Sequence, residues 1–174
     1  MIPIDSSRKP PAFALFELGF RAFFGAAGLF AAIAMLLWML MYVFSMQLPL
    51  SGLYQTSWHA HEMIYGYAMA AVAGFLLTAV GNWTGIPGIR GATLASLFAL
   101  WLVARIAWFI PGEYTAALAA TTDSLFILGL IVAVSLPVIR VRQWTQLGII
   151  SKLWLILAAN GLFYAGALGF LEQG

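Results

Sequence analysis

Residues 23–44 read FFGAAGLFAAIAMLLWMLMYVF, and this run contains no charged side chain. The hydrocarbon core of a bilayer is about 30 Å thick, so a helix needs roughly 20 consecutive apolar residues to cross it. The run meets that length, and it is too long for the apolar part of a cleavable signal peptide. It therefore predicts a transmembrane helix that stays in the protein.

Four more apolar segments follow, and turn-forming residues such as Pro49, Pro87 and Pro111 lie between them. Continuous apolar runs differ from the alternating strands of a membrane β-barrel. The sequence predicts an all-α integral membrane bundle of about five transmembrane helices. A cytoplasmic N-terminal segment, 1–22, is expected to precede a single transmembrane domain, 23–174, with helices over 23–44, 61–80, 93–110, 117–139 and 149–171.

The composition agrees with a chain embedded in a lipid bilayer. Hydrophobic residues make up 63% of the chain and charged residues only 8%, whereas soluble domains carry about 25% charged residues. The few basic residues form no cluster for nucleic acid, which we exclude as a partner. The chain has no cysteine, so disulfides, thiolate metal sites and cysteine nucleophiles are excluded.

The basic residues predict how the helices are oriented. With five helices, seven of the eight Lys and Arg residues fall on one side of the membrane: Arg8, Lys9, Arg21, Arg90, Arg140, Arg142 and Lys152. Cytoplasmic loops carry an excess of Lys and Arg. We therefore expect a cytoplasmic N-terminus and an external C-terminus.

The remaining ionisable residues are predicted to gather at one level, in the outer half of the membrane. Arg105 lies in the third predicted helix, Asp123 in the fourth, and His59, His61 and Glu62 at the start of the second. Ionisable groups at membrane depth are costly, and they commonly mark a functional site or pair with one another. The gathering of ionisable residues at this level is the main functional signal in the sequence.

The His-x-His pair has two interpretations. Imidazole is a common ligand for haem iron, copper and zinc, but His and Trp at this position also fit a simple interfacial patch. In a helix, His59 and His61 would point in nearly opposite directions, with His59 beside Glu62 and His61 beside Tyr65. In an extended segment the two imidazoles could face the same way.

Arg105 and Asp123 also allow two interpretations. They could form a buried ion pair that joins two helices. Alternatively, Arg105 could neutralise a buried anion of a bound group while Asp123 orients a histidine as a second-shell partner. The two roles are compatible.

The fifth predicted helix carries small residues at a spacing of four, Gly161, Ala165 and Gly169. Such a stripe permits close approach of another helix, within the chain or across subunits. Asn160, the lone amide beside the stripe, is predicted to make a hydrogen bond between helices.

Three stretches together resemble the NnrS family: FELGFRAFF at 16–24, WHAHEM at 58–63 and GFLLTAVGNWTG at 74–85. The resemblance covers most of the chain. Members of that family are typically longer, with more spanning helices, and this chain corresponds to their N-terminal part.

The resemblance implies a multi-pass protein of the bacterial inner membrane that contains haem, expected to be b-type, and copper. It implies a role in nitric oxide metabolism or in protection from nitrosative stress. His59 and His61 become the candidate metal ligands, with Arg21 and Arg105 as further cofactor-binding candidates and Glu62 and Asp123 as second-shell residues.

Two other classes of function remain as alternatives. One is a non-catalytic membrane subunit that scaffolds a larger respiratory or other complex, and the other is a small transporter or channel. The expected partners are the lipid bilayer and either a second copy in a homodimer or a larger membrane complex.

Overall fold

The computed structural model describes residues 14–50 and 53–169, and the regular elements in this part of the chain are all helices. After a short 3-10 turn at Ala14–Glu17, helix α1 spans Gly19–Val43. A second long helix runs without interruption from 55 to 84: α2 (Gln55–His61), a π-helical segment (Glu62–Ala68) and α3 (Met69–Thr84). It is followed by α4 (Gly91–Ala107), α5 (Thr115–Arg140) and, after a 3-10 turn at Trp144–Gln146, α6 (Leu147–Ala167).

The prediction of a helical membrane bundle is confirmed. Four of the long helices are long and apolar enough to cross a membrane: Gly19–Val43, Gln55–Thr84, Thr115–Arg140 and Trp144–Ala167. Helix α4 is also apolar but has only 17 residues. That length lies at the lower limit for a spanning helix, which needs roughly 17 to 25 residues.

Several helices begin or end a few residues away from the approximate positions predicted. The first helix begins at Gly19 rather than 23, so the expected boundary between residues 22 and 23 falls inside α1. The second begins at Gln55 rather than 61, because the buried Trp58 gives this polar-looking stretch an apolar face. The third spans 91–107 instead of 93–110, and the fifth ends at Ala167 instead of 171.

Helices α3 and α5 form the centre of the bundle. Helix α1 packs on α3, whereas α4 and α6 both pack on α5. The larger core cluster contains Phe23, Leu94, Phe126 and Leu130, all fully buried. A second cluster around Trp58 and Trp108 packs the opposite end of the bundle, and the polar residues described next lie beside it.

Candidate functional site

His61 is the last residue of α2 and is only 2% exposed. Its imidazole is stacked against the rings of Tyr65 and Phe163, with ring centroids 4.6 and 4.3 Å away. The predicted face shared by His61 and Tyr65 is confirmed. The two histidines are both helical, so the extended alternative does not apply.

Both ring nitrogens of His61 have polar neighbours. Nδ1 lies 3.1 Å from Oε1 of Glu62, and Nε2 lies 3.2 Å from Oδ1 of Asn160 and 3.6 Å from Oδ2 of Asp123. A neutral imidazole donates from only one nitrogen. A tautomer with its proton on Nδ1 fits both neighbours if the Asn160 amide is rotated, because Nε2 can then accept a hydrogen bond from the NH₂ of Asn160.

Arg105 joins the two carboxylates of the cluster. Its Nη1 donates to Oε1 of Glu62 over 2.8 Å, and its Nη2 forms an ion pair with Oδ1 of Asp123. The contact predicted between Arg105 and Asp123 is therefore confirmed. Arg105 also meets Glu62, a second partner that the sequence pattern does not reveal.

Tyr164 completes the cluster from α6 by donating its hydroxyl to Oδ2 of Asp123 over 3.0 Å. Asn160 makes the predicted hydrogen bond between helices, since it reaches from α6 to His61 on α2. Tyr164 was not recognised in the sequence. Its position one turn after Asn160, on the same face of the helix, is the signal that could have identified it.

We call these six residues the polar cluster: His61, Glu62, Arg105, Asp123, Asn160 and Tyr164. All are buried, although they come from four continuous helices: the helix 55–84, α4, α5 and α6. Buried charges are tolerated when they are paired and hydrogen-bonded, and here one guanidinium serves two carboxylates. Oε2 of Glu62 and Nδ2 of Asn160 have no hydrogen-bond partner within the described chain.

The π-helical segment places Glu62 in the cluster. Residues adjacent in an α-helix do not face each other, yet His61 and Glu62 touch where the α-helix passes into the wider π-helix. Two side chains from other helices anchor this part of the structure. Nε1 of Trp101 donates to the carbonyl of Gly66 over 3.0 Å, and the hydroxyl of Tyr65 donates to the carbonyl of Ile156 over 3.2 Å.

His59 lies in a different environment from His61. It is half-buried, and its ring is stacked on Trp38 of α1, with centroids 4.3 Å apart and planes 18° from parallel. Its Nδ1 is buried and has no hydrogen-bond partner within the described residues. The face that a regular α-helix would give His59 and Glu62 in common does not bring them together, because Glu62 turns to Arg105 and His61 instead.

Arg21 is not part of this region. It lies in the first turn of α1, whereas Trp38, which contacts His59, lies 17 residues further along the same helix. At 1.5 Å per residue this separation is about 25 Å. The structure therefore separates Arg21 from both histidines.

Within residues 14–50 and 53–169, no group of three or more His, Cys, Asp or Glu side chains is arranged to hold a metal ion. A groove of about 500 Å³ lies between the start of α2 and the end of α6, and Phe163, which stacks on His61, lines it. Among the residues that line this groove, neither histidine is present.

The fold and the polar cluster define a helical membrane protein whose helices enclose a paired set of charges near one end. The family model described as NnrS protein matches residues 14–174. The chain belongs to the NnrS family, as the sequence resemblance predicted. No curated protein and no solved structure matches the chain.

Proposed function

We propose that this protein is a haem-binding protein of the bacterial inner membrane that acts in nitric oxide metabolism or in protection from nitrosative stress. The observation that carries the proposal is membership of the NnrS family over residues 14–174. The haem is taken to be b-type, because the chain has no cysteine to hold a haem covalently.

The two histidines differ in how well they suit an axial ligand. Haem iron is held through an imidazole nitrogen. Both nitrogens of His61 already have polar neighbours, and its ring is enclosed by Tyr65 and Phe163. His59 is half-buried, and its Nδ1 has no partner within the described chain. His59 therefore suits the role of an axial haem ligand better than His61 does, and we assign it that role.

Trp38 and the polar cluster support His59 rather than contact the haem. Trp38 restricts the orientation of the His59 ring by stacking on it. The polar cluster fixes α2 against α4, α5 and α6 through His61 and Glu62.

A bound haem would supply an iron atom at which nitric oxide can bind. We include no copper in the proposal, because the described residues offer no set of three ligands.

Spectroscopy of the purified full-length chain tests the proposal. We expect a Soret band in the wild-type protein, loss of that band in His59→Gly, and its partial return when imidazole is added. Complementation of a deletion strain exposed to a nitric oxide donor should fail with His59→Gly. A wild-type protein that binds no haem when haem is supplied would overturn the haem assignment.

His61→Ala is the matched control, since it removes the other imidazole. It should lower the Tm of the protein, because it leaves Glu62 and Asn160 with fewer partners. Any haem that remains bound should keep the wild-type band position. If His61→Ala shifts the band and His59→Gly does not, the ligand is His61 instead.

One observation favours a non-catalytic subunit of a larger complex as a second candidate. Only 17% of the spanning part of α1 and 22% of that of α6 is buried, compared with 56% and 50% for the other two long helices. Lipid can cover such faces, but so can another subunit. A transporter is not favoured, since the polar cluster is confined to one level of the bundle.

A further inference from the structure

A groove of about 430 Å³ runs along the surface between α4 and α5. Its lining is almost wholly apolar and includes Thr93 and Leu100 from α4, and Gly129, Ala133 and Leu136 from α5. The stretch from Thr93 to Leu100 corresponds to about 10 Å along the helix axis. This face lies on spanning helices and is therefore expected to meet lipid.

Small side chains on α5 create the groove. Gly129 sits so close to α4 that a Cβ atom at this position would lie 2.8 Å from Cδ1 of Leu97. Ala133, one turn further along α5, adds only a methyl group on the same side. The two helices therefore approach closely near Gly129. The small side chains there leave a channel on the surface between the two helices.

Two arginines flank residues that line the other end of this groove: Arg90 follows Ile89 in the chain, and Arg140 lies one turn after Leu136. Helices α4 and α5 are antiparallel, since Arg105 pairs with Asp123 and Leu97 faces Gly129. Continuing this register places Arg90 beside residues 136–138, within about one turn of Arg140. Arg140 also follows Leu136 by four residues and so shares its face of the helix.

Both arginines are exposed, and neither makes a hydrogen bond or an ion pair with the described part of the chain. Both guanidinium groups are therefore unpaired within the described residues, although Glu17 lines the same cleft as Arg90. A guanidinium group binds phosphate oxygens in a bidentate manner. Basic residues at the membrane surface attract anionic lipids.

We propose that this groove binds an anionic phospholipid, with one acyl chain in the channel and the phosphate between Arg90 and Arg140. A second copy of the chain fits less well. Among the described residues this end of the bundle carries five basic side chains and one acid, Glu17, so two copies joined here would bring like charges together: Arg21, Arg90, Arg140, Arg142 and Lys152.

Lipid binding to the purified full-length protein in detergent tests the proposal, by native mass spectrometry and by thermal shift. Phosphatidylglycerol should bind more tightly and raise the Tm more than phosphatidylcholine with the same acyl chains. The double variant Arg90→Gln with Arg140→Gln should bind phosphatidylglycerol on the order of tenfold more weakly. Soluble glycerol phosphate should have no effect, because it has no acyl chain.

Two further variants separate a specific site from general attraction. Arg142→Gln with Lys152→Gln removes the same charge from the same end and should retain the preference for phosphatidylglycerol. Ala133→Phe should fill the channel and weaken the binding of both lipids. Equal binding of the two lipids by the wild-type protein, or equal losses in the two double variants, would overturn the proposal. A lower molecular mass for Ala133→Phe without any effect on lipid binding would assign the groove to a second copy instead.

Discussion

Arg105 is the residue on which the polar cluster depends. Its guanidinium group contacts Glu62 on one side and Asp123 on the other, and all three side chains are buried. Taking a charge out of water is costly, and the cost is offset only while the opposite charge stays in place. Removing the single cation would leave two carboxylates facing each other in a low-dielectric environment.

We therefore expect Arg105→Leu to destabilise the protein by about 3–5 kcal/mol. The double variant Arg105→Leu with Asp123→Leu should lose less stability, and adding Glu62→Gln should reduce the loss further. Thermal unfolding in detergent measures these differences. Lys152→Leu, which removes an exposed cation from α6, should leave the Tm almost unchanged. Strictly additive losses would contradict the coupling of these charges.

At the scale of one element, the π-helical segment 62–68 sets the shape of the site. It turns Glu62 toward α4, and its Gly66 lies where α1 and α4 both approach. A Cβ atom on Gly66 would clash with Cε1 of Phe30 and lie 2.9 Å from Oε2 of Glu62. The absence of a side chain at this position therefore allows Phe30 and Glu62 to pack there.

Gly66→Ala should destabilise the protein, because Phe30 and the Glu62 carboxylate must both move. Gly25→Ala on α1 is the matched control. A Cβ atom there meets nothing within 4 Å, so the change should be neutral or stabilising by up to about 1 kcal/mol. Adding Phe30→Ala to Gly66→Ala should relieve only the steric part of the effect. Equal Tm values for the two glycine variants would show that the packing at Gly66 is not restrictive.

For the whole molecule, orientation in the membrane is still a prediction from the basic residues. Arg90, Arg140 and Arg142 lie at one end of the bundle, and the polar cluster lies near the other. A reporter fused at Gly88 should be cytoplasmic and one at Gly112 external. Ser51, a third suitable position, lies outside the described residues. An external signal at Gly88 would reverse the arrangement.

Homodimer formation through α6 also concerns the whole molecule. Gly161 is exposed and a Cβ atom there meets nothing, so this face of α6 is open. The predicted stripe is shorter than expected, because the helix ends at Ala167 and Gly169 has a positive φ of 77° beyond it. Only Gly161 and Ala165 then remain as the small residues for a close contact between helices.

We propose a dimer that Gly161→Leu weakens, measured as the protein mass of the detergent-solubilised complex after the detergent contribution is subtracted. Gly148→Leu is the matched control at the other end of α6, where a Cβ atom also meets nothing. It should leave the mass unchanged. A wild-type monomer that retains its haem would remove the basis for this dimer.

The sequence by itself determined the class of the protein. Long apolar runs, such as 23–44, reveal spanning helices because a bilayer fixes the length that a helix needs. Because an ionisable group at membrane depth is costly, Arg105 and Asp123 at a shared level predicted a contact between them, and that contact is confirmed. Motifs such as WHAHEM at 58–63 carried the resemblance to the family whose model matches residues 14–174.

Only the tertiary structure decided which of these residues meet. Glu62 joins Arg105 because a π-helical segment shifts the phase of the helix after His61, and no regular spacing predicts that shift. Asn160 reaches His61 from 99 residues away along the chain, and Tyr164 reaches Asp123 from 41 residues away. His59 and His61 are two residues apart, yet one stacks on Trp38 and the other is enclosed by α5 and α6. Side-chain environment depends on how helices pack, and the apolar pattern that specifies a helix leaves that packing undetermined.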